Sequence, residues 1–149
     1  MAEVVFRSTQ HLSLSDLSDI ATYVRSLPAP VKGTKPVSPQ RDAVGSQGEK
    51  IYADHCAQCH GEQGQGVRGM YAALAGNRAV TLPHPGNLIR VVVQGGFAPA
   101  TAVHPRPFGM PPFRQTLDDA QIAAVLTYVR QAWGNAAAPV SVLDVLQNP

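Results

Sequence analysis

Two cysteines and a histidine stand together in the segment Cys56-Ala57-Gln58-Cys59-His60 of this 149-residue chain. Two thiols separated by two residues at a helix end can each add to one vinyl group of a single haem. The histidine that follows at once then lies under the iron. Because Cys56 and Cys59 are the only cysteines, the spacing predicts one covalently attached haem c, with His60 as an axial ligand.

Other uses of a cysteine pair fit the chain less well. Two cysteines are too few for a disulfide framework, and a structural zinc site normally needs four cysteine or histidine ligands at paired spacings. A thioredoxin-type dithiol also needs only Cys-x-x-Cys, but it requires a βαβ pattern around the motif. That pattern is missing here, so the dithiol stays as the main rival to haem attachment.

A low-spin haem needs a sixth ligand, and Met110 is the best candidate. It lies fifty residues after His60, in Phe108-Gly109-Met110-Pro111-Pro112. The proline after it favours an extended backbone, and the proline pair stiffens the loop, so little entropy is lost when a weak thioether ligand binds. Met70 is too near His60 to wrap round the ring. His104 and His84 are the reserve candidates.

Composition narrows the function. The formal net charge of +2 is too small to indicate a nucleic-acid surface. The sequence shows no pattern of an acid–base dyad, so it does not predict an enzyme. The chain has no apolar run near the roughly 18 residues of a membrane span and no apolar core of a signal peptide within Met1–Ile20. The chain therefore looks like a mature, trimmed or cut form of a longer protein. Any membrane contact is expected to come through segments missing from it or through partners.

Four segments follow one another along the chain. Residues 1–27 end in a predicted helix with Ser13 as its N-cap. Residues 28–44 are a proline-rich linker. Residues 45–135 form the main domain, and residues 136–149 are a tail with a small apolar set.

The main domain reads as helices and loops. A helix is predicted over about 46–57, and a short element over 87–94 whose pattern fits helix or strand. The clearest helix carries an apolar face over 117–129. It is predicted to begin with a capping box at Thr116–Asp119 and to end with Gly134 as its C′ residue.

The N-terminal segment contains an internal repeat. Thr22-Tyr23-Val24-Arg25 recurs as Thr127-Tyr128-Val129-Arg130, and at that offset the apolar face of one helix falls on that of the other. The first 27 residues therefore resemble the closing helix of an upstream copy of the main domain. We expect the apolar stripe of residues 12–27 to be ordered and docked, with a preference for self-association through it.

Over about 45–146 the chain resembles the class I cytochrome c family. Gly48 and Tyr52 precede Cys56 by eight and four positions, as in that family's first helix. The strings Leu74-Ala75-Gly76-Asn77 and Gly109-Met110-Pro111 are similar, more narrowly, to the multi-haem cytochrome subunits of bacterial alcohol and gluconate dehydrogenases, in their C-terminal haem domain.

The resemblance implies an all-α fold, with helices wrapped round the haem, and single-electron transfer in the periplasm. It implies His/Met ligation by His60 and Met110. The implied partners are a quinoprotein or flavoprotein dehydrogenase, other haem domains, and a quinone or terminal oxidase as acceptor. A gas sensor or peroxidase with a dissociable distal ligand remains the alternative.

The resemblance also predicts particular contacts. Gly48 should let the last helix cross closely, at Val125 and Tyr128. The carbonyl that accepts a hydrogen bond from the axial histidine often belongs to a proline in this family, but here those positions are Ala72 and Ala73. Met1 falls near the position of an upstream axial methionine and is an initiator or a further sulfur ligand.

A few polar and aromatic residues are further candidates for the haem surroundings. Possible partners for the haem propionates are Tyr71, Arg90 and Trp133. His55 is predicted to face solvent. Four arginines either rim an exposed haem edge or belong to a scattered solvated surface: Arg68, Arg78, Arg106 and Arg114.

Overall fold

A computed structural model of the chain describes residues 2–28 and 43–148. Met1 and most of the linker predicted at 28–44 lie outside these residues. The contacts within the described chain define two compact units, which are treated separately below.

The smaller unit consists of residues 2–28 and 97–109. It contains helix α1 (Ala2–Arg7), a 3-10 turn at Thr9–His11 and helix α2 (Leu14–Ser26).

Helix α2 begins where the sequence predicts. The hydroxyl of Ser13 accepts a hydrogen bond from the backbone N–H of Asp16, and the carboxylate of Asp16 accepts one from the N–H of Ser13. This reciprocal pair is a capping box. No residue of α2 is buried, so its apolar stripe is exposed, and the docking of that stripe stays a prediction.

The larger unit holds most of the regular structure. Its helices are α3 (Ala43–His55), α4 (Ala57–His60), α5 (Arg78–Thr81), α6 (Gly86–Gln94), α7 (Asp119–Gln131) and α8 (Val142–Leu146). Two short strands, β1 (Gly96–Phe97) and β2 (Gly109–Met110), each have one residue in either unit. The two strands begin or end at the boundary of the units, have two residues each, and pair with each other. The predicted all-α class is confirmed.

Helix α3 crosses helix α7 at Gly48. A Cβ atom on Gly48 would overlap the carbonyl oxygen of Ala124 and would lie 2.9 Å from the Cβ of Tyr128. The predicted contact with Tyr128 is confirmed, whereas Ala124 stands nearest in place of Val125. The crossing is close enough to bring the α7 backbone itself against Gly48, which only a residue without a side chain allows.

Both ends of α7 differ from the sequence prediction. The N-cap is Asp118, paired with Gln121 in a capping box, and not Thr116. Residues 113–117 form a turn instead, in which the N–H groups of Thr116 and Leu117 both bond the carbonyl of Phe113. At the other end Trp133 already adopts a left-handed φ of 53°, so Trp133, not Gly134, is the C′ residue.

The remaining elements settle two further expectations. The element predicted over 87–94 is helix α6, with Ile89, Val92 and Val93 buried. Residues 136–149, predicted to be a tail, contain a helix that belongs to the folded domain: α8 packs on α7, and Val145 is fully buried. Within residues 2–28 and 43–148, no helix is long and apolar enough to cross a membrane.

Candidate haem site

The two cysteines and the histidine lie on one helical turn. Cys56 is the N-cap of α4, and its carbonyl accepts hydrogen bonds from the N–H groups of Cys59 (3.2 Å) and His60 (2.9 Å). Both thiols are free and partly buried. The helix predicted over 46–57 is thus two helices, α3 and α4, and the break between them falls at the first cysteine.

The imidazole of His60 is held in one tautomer. Its Nδ1 lies 2.8 Å from the carbonyl oxygen of Ala72. A carbonyl can only accept, so Nδ1 carries the proton and Nε2 keeps its lone pair for a metal. The hydrogen bond that the family often directs to a proline carbonyl is therefore present at Ala72.

The Cys56 thiol differs from the reactive thiol of a dithiol oxidoreductase. Burial raises the pKa of Cys56 to about 11, and the neighbouring Cys59 adds to the rise. Cysteines that exchange disulfides work as thiolates of lowered pKa. At neutral pH the Cys56 thiol is protonated, and this argues against the thioredoxin-type reading.

Met110 lies on β2, partly buried and packed against the hydrophobic core. Its backbone runs so close to Gly95 that a Cβ there would lie 2.5 Å from the carbonyl oxygen of Met110. The segment after it is fixed by a hydrogen bond of 2.9 Å from the N–H of Phe113 to the carbonyl of Val92. By contrast, the side chain of Met70 is 45% exposed.

The other candidate residues for the haem surroundings lie at the surface. His84 and His104 are exposed. His55 is exposed as predicted, with its ring edge-on to that of Phe113 at 6.2 Å. Arg90 is also exposed.

The four rim arginines are all exposed: Arg68, Arg78, Arg106 and Arg114. Arg114 forms an ion pair with Asp119 at the start of α7. Tyr71 is partly buried and pairs with Val67 in an isolated β-bridge. The roles of these arginines and of Tyr71 stay predictions.

An aromatic cluster adjoins the cysteine turn. The ring of Tyr52 lies 4.8 Å from that of Trp133 and 5.6 Å from that of Tyr128. The Tyr52 hydroxyl donates a hydrogen bond of 2.5 Å to the carbonyl of Gly61. Burial, followed by the nearby Cys56, raises the pKa of Tyr52 to about 12, so this donor keeps its proton across the working pH range.

Two buried polar residues were missed by the sequence analysis. Arg130 donates from Nε to the carbonyl of Ala138 (2.7 Å), and from one terminal nitrogen to those of Val80 (2.7 Å) and Leu82 (2.9 Å). Asn135 bonds the backbone of the loop that carries Ala72. The only signal is that both stand in the stretch Tyr128-Val129-Arg130 through Trp133-Gly134-Asn135, which resembles the dehydrogenase cytochrome subunits. Their hydrogen-bond partners lie up to 61 positions away.

These features define a class of protein: a small helical domain with two free thiols and a histidine on one helical turn. The cytochrome c family model matches residues 45–133. The chain belongs to the cytochrome c family, and its fold is that of a class I cytochrome c. The family implies a covalently bound haem c and electron transfer.

Three relatives narrow the similarity. The chain is 37% identical to the cytochrome c subunit of the quinone-type alcohol dehydrogenase of Gluconobacter oxydans, over 97% of this chain and 32% of the relative. It is 35% identical to the gluconate 2-dehydrogenase cytochrome c subunit of Pantoea cypripedii, over 97% and 35%. It is 37% identical to cytochrome c-552 of Thermus thermophilus, over 61% and 71%. The chain thus spans about a third of the length of the dehydrogenase subunits it matches.

Proposed function

We propose that this chain binds one haem c through Cys56 and Cys59, ligates its iron with His60 and Met110, and transfers single electrons. In attachment each thiol adds across one vinyl group, so that sulfur bonds one vinyl carbon and hydrogen the other, with no net oxidation. The observation that carries the proposal is the hydrogen bond from His60 Nδ1 to Ala72, which directs Nε2 to a metal beside two free thiols.

When bound, the haem supplies a ferric–ferrous couple of one electron. The chain sets the properties of that couple. A thioether from Met110 favours the ferrous state and raises the potential, and the partly buried setting of Met110 works in the same direction by disfavouring the extra ferric charge. In the larger unit, the exposed Arg68 and Arg78 are suited to contacts with acidic redox partners, and such contacts are usually small and transient.

The names of the relatives support a place in a dehydrogenase complex. We infer that the donor is a periplasmic quinoprotein or flavoprotein dehydrogenase, reached directly or through other haem domains. The acceptor is then a quinone or a terminal oxidase. In this arrangement the chain is an electron carrier, and the partner performs the catalysis.

The optical spectrum tests the ligation. The ferric protein should show the weak far-red band of methionine–iron ligation, and Met110→Ala should abolish it and lower the potential. Met70→Ala is the matched control and should change neither. A band that survives Met110→Ala would move the distal ligand to another residue, and rapid carbon monoxide binding by the ferrous wild type would support the gas-sensor or peroxidase alternative.

We also propose that residues 2–28 are the closing part of a further cytochrome domain. Leu14–Ser26 and Asp119–Gln131 have the same length and the same register in the repeat. Their N-caps, Ser13 and Asp118, occupy equivalent positions and both form capping boxes. Residues that are buried in α7 have exposed counterparts in α2, so the stripe of α2 is suited to the packing that α7 makes.

A further inference from the structure

The side chain of Asn135 joins the end of α7 to the loop over residues 72–76. It is 5% exposed. Its Oδ1 accepts from the N–H of Gly76 (3.0 Å), and its Nδ2 donates to the carbonyls of Leu74 (3.1 Å) and Val129 (2.8 Å). Both amide hydrogens and the amide oxygen are thereby used, and no other rotation of the amide satisfies the three partners.

The loop held by Asn135 also holds the axial histidine. Ala72, which accepts the hydrogen bond from His60, is two residues before Leu74. The N–H groups of Leu74 and Ala75 bond the carbonyl of Gly64 at 2.7 and 3.0 Å. The loop is therefore fixed on one side by the chain that follows His60, and on the other side by Asn135.

The same end of α7 contacts the chain both before and after His60. The Trp133 ring packs on Gly64, where a Cβ would lie 2.6 Å from two of its carbon atoms. It also packs on Tyr52, whose hydroxyl bonds the carbonyl of Gly61. The left-handed φ angles of Trp133 (53°) and Gly134 (84°) turn the chain so that Trp133 and Asn135 reach these two places from one turn.

We propose that Asn135 is a positioning residue for His60, the proposed ligand of the haem iron. It holds the 72–76 loop in place, so that the carbonyl of Ala72 keeps its hydrogen bond with Nδ1 of His60. This rests on the proposed ligation of the iron by His60. A histidine that donates its Nδ1 proton to a fixed carbonyl is a more basic ligand and stabilises ferric iron. Prolines would stiffen this loop through their own rings. With alanine at positions 72 and 73, Asn135 stiffens it together with the Gly64 carbonyl and the hydrogen bond from Asn77 Nδ2 to the Ala73 carbonyl (2.7 Å).

The experiment measures the histidine directly. In ferrous protein labelled with 15N-histidine, the exchange rate of the His60 Nδ1 proton reports how often the bond to Ala72 opens. Asn135→Ala should accelerate that exchange by at least about tenfold, as expected for the loss of one or two buried hydrogen bonds. The midpoint potential should become more positive, because a less basic histidine favours ferrous iron.

Thr127→Val is the matched control. Thr127 is also a buried polar residue of α7, but its hydroxyl bonds the backbone of Val140 (3.0 and 3.2 Å), in the C-terminal segment. It should lower stability and leave the Nδ1 exchange and the potential unchanged at matched stability. Asn135→Ser, with a shorter polar side chain, is used for the same comparison if Asn135→Ala yields too little holoprotein.

The inference requires both effects. It is overturned if the asparagine variant and Thr127→Val give the same Nδ1 exchange, or if the potential does not move, because Asn135 would then only stabilise the fold. A wild-type protein that binds no haem covalently would instead refute the proposed function, and that result is known before any variant is compared.

Discussion

Arg130 shows how much one side chain can organise. It is 1% exposed, and its guanidinium bonds three backbone carbonyls in two segments: Val80 and Leu82 in and just after α5, and Ala138 before α8. Burial lowers the pKa of Arg130, and the nearby Asp144 opposes that shift. A buried cation is tolerated here because it is surrounded by acceptors.

We predict that Arg130→Leu lowers the free energy of unfolding by about 3 kcal/mol or more, because it leaves buried carbonyls without donors. Urea denaturation of the haem-loaded protein measures it. Lys50→Leu is the control, since Lys50 is an exposed cation on α3, and it should cost no more than about 0.5 kcal/mol. Equal losses in the two variants would mean that the carbonyls find other partners.

Residues that act through a short local pattern could be predicted, and residues that act across the fold could not. The spacing of Cys56, Cys59 and His60 reports the chemistry by itself. Asn135 and Arg130 acquire their roles only from loops that folding brings to the end of α7. In the sequence each is an ordinary polar residue beside a helix end, and nothing local distinguishes it from a solvated one.

At the scale of elements, the crossing of α3 and α7 places the cysteine turn. Gly48 permits the crossing, and one turn later in α3 Tyr52 packs on Tyr128 and Trp133. The carbonyl of Tyr52 then accepts the N–H of Cys56 at 2.9 Å. The cysteine turn is therefore positioned by contacts that begin at Gly48.

Gly48→Ala tests this crossing, because the change in the free energy of unfolding has opposite signs for a close crossing and for an exposed helix. In an exposed helix interior the change stabilises by roughly 0.5–1 kcal/mol. Here the added methyl overlaps the carbonyl of Ala124, so we expect a destabilisation of about 1–3 kcal/mol, as for other overpacked sites. The measurement is thermal or urea unfolding monitored at the haem, and a stabilised variant would show that the helices are further apart.

Hydrophobic periodicity predicted helices α2 and α7, but it left the type of α6 open and gave neither the break between α3 and α4 nor helix α8. The ends of α7 were also wrong. Thr116 and Asp118 both satisfy the sequence pattern of a cap, and the choice depends on the turn at Phe113. Trp133 adopts a left-handed conformation that a sequence assigns to glycine, because its ring packs against Tyr52 and Gly64. Tertiary contacts decide both cases.

Helix α2 gives a prediction of its own. Its stripe, including Leu17 and Ile20, is exposed within this chain, and apolar surface of this kind marks an interface. We expect the full chain to self-associate through residues 12–27, and a chain that lacks residues 1–28 to be monomeric. Light scattering measures the masses, and amide exchange should show protection across α2 in the full chain. Rapid exchange there, with a monomeric mass before and after deletion, would contradict it.

At the scale of the whole molecule, the chain combines a cytochrome c domain with a helix, α2, that has the length and cap of α7. It spans about a third of the dehydrogenase subunits to which it is similar. A small domain rich in loops buries little surface by itself. Attachment at Cys56 and Cys59 would let the haem serve both as the redox centre and as a central part of the core.

Covalent attachment of one haem is the central claim, and the intact mass of the protein tests it most directly. Protein matured in a periplasm with a haem-attachment system should have the mass of the polypeptide plus one haem, and the pigment should survive acid-acetone extraction. Replacing both Cys56 and Cys59 by alanine should remove the added mass. A wild-type protein with the mass of the bare polypeptide, or a pigment that is extracted by acid-acetone, would contradict the claim.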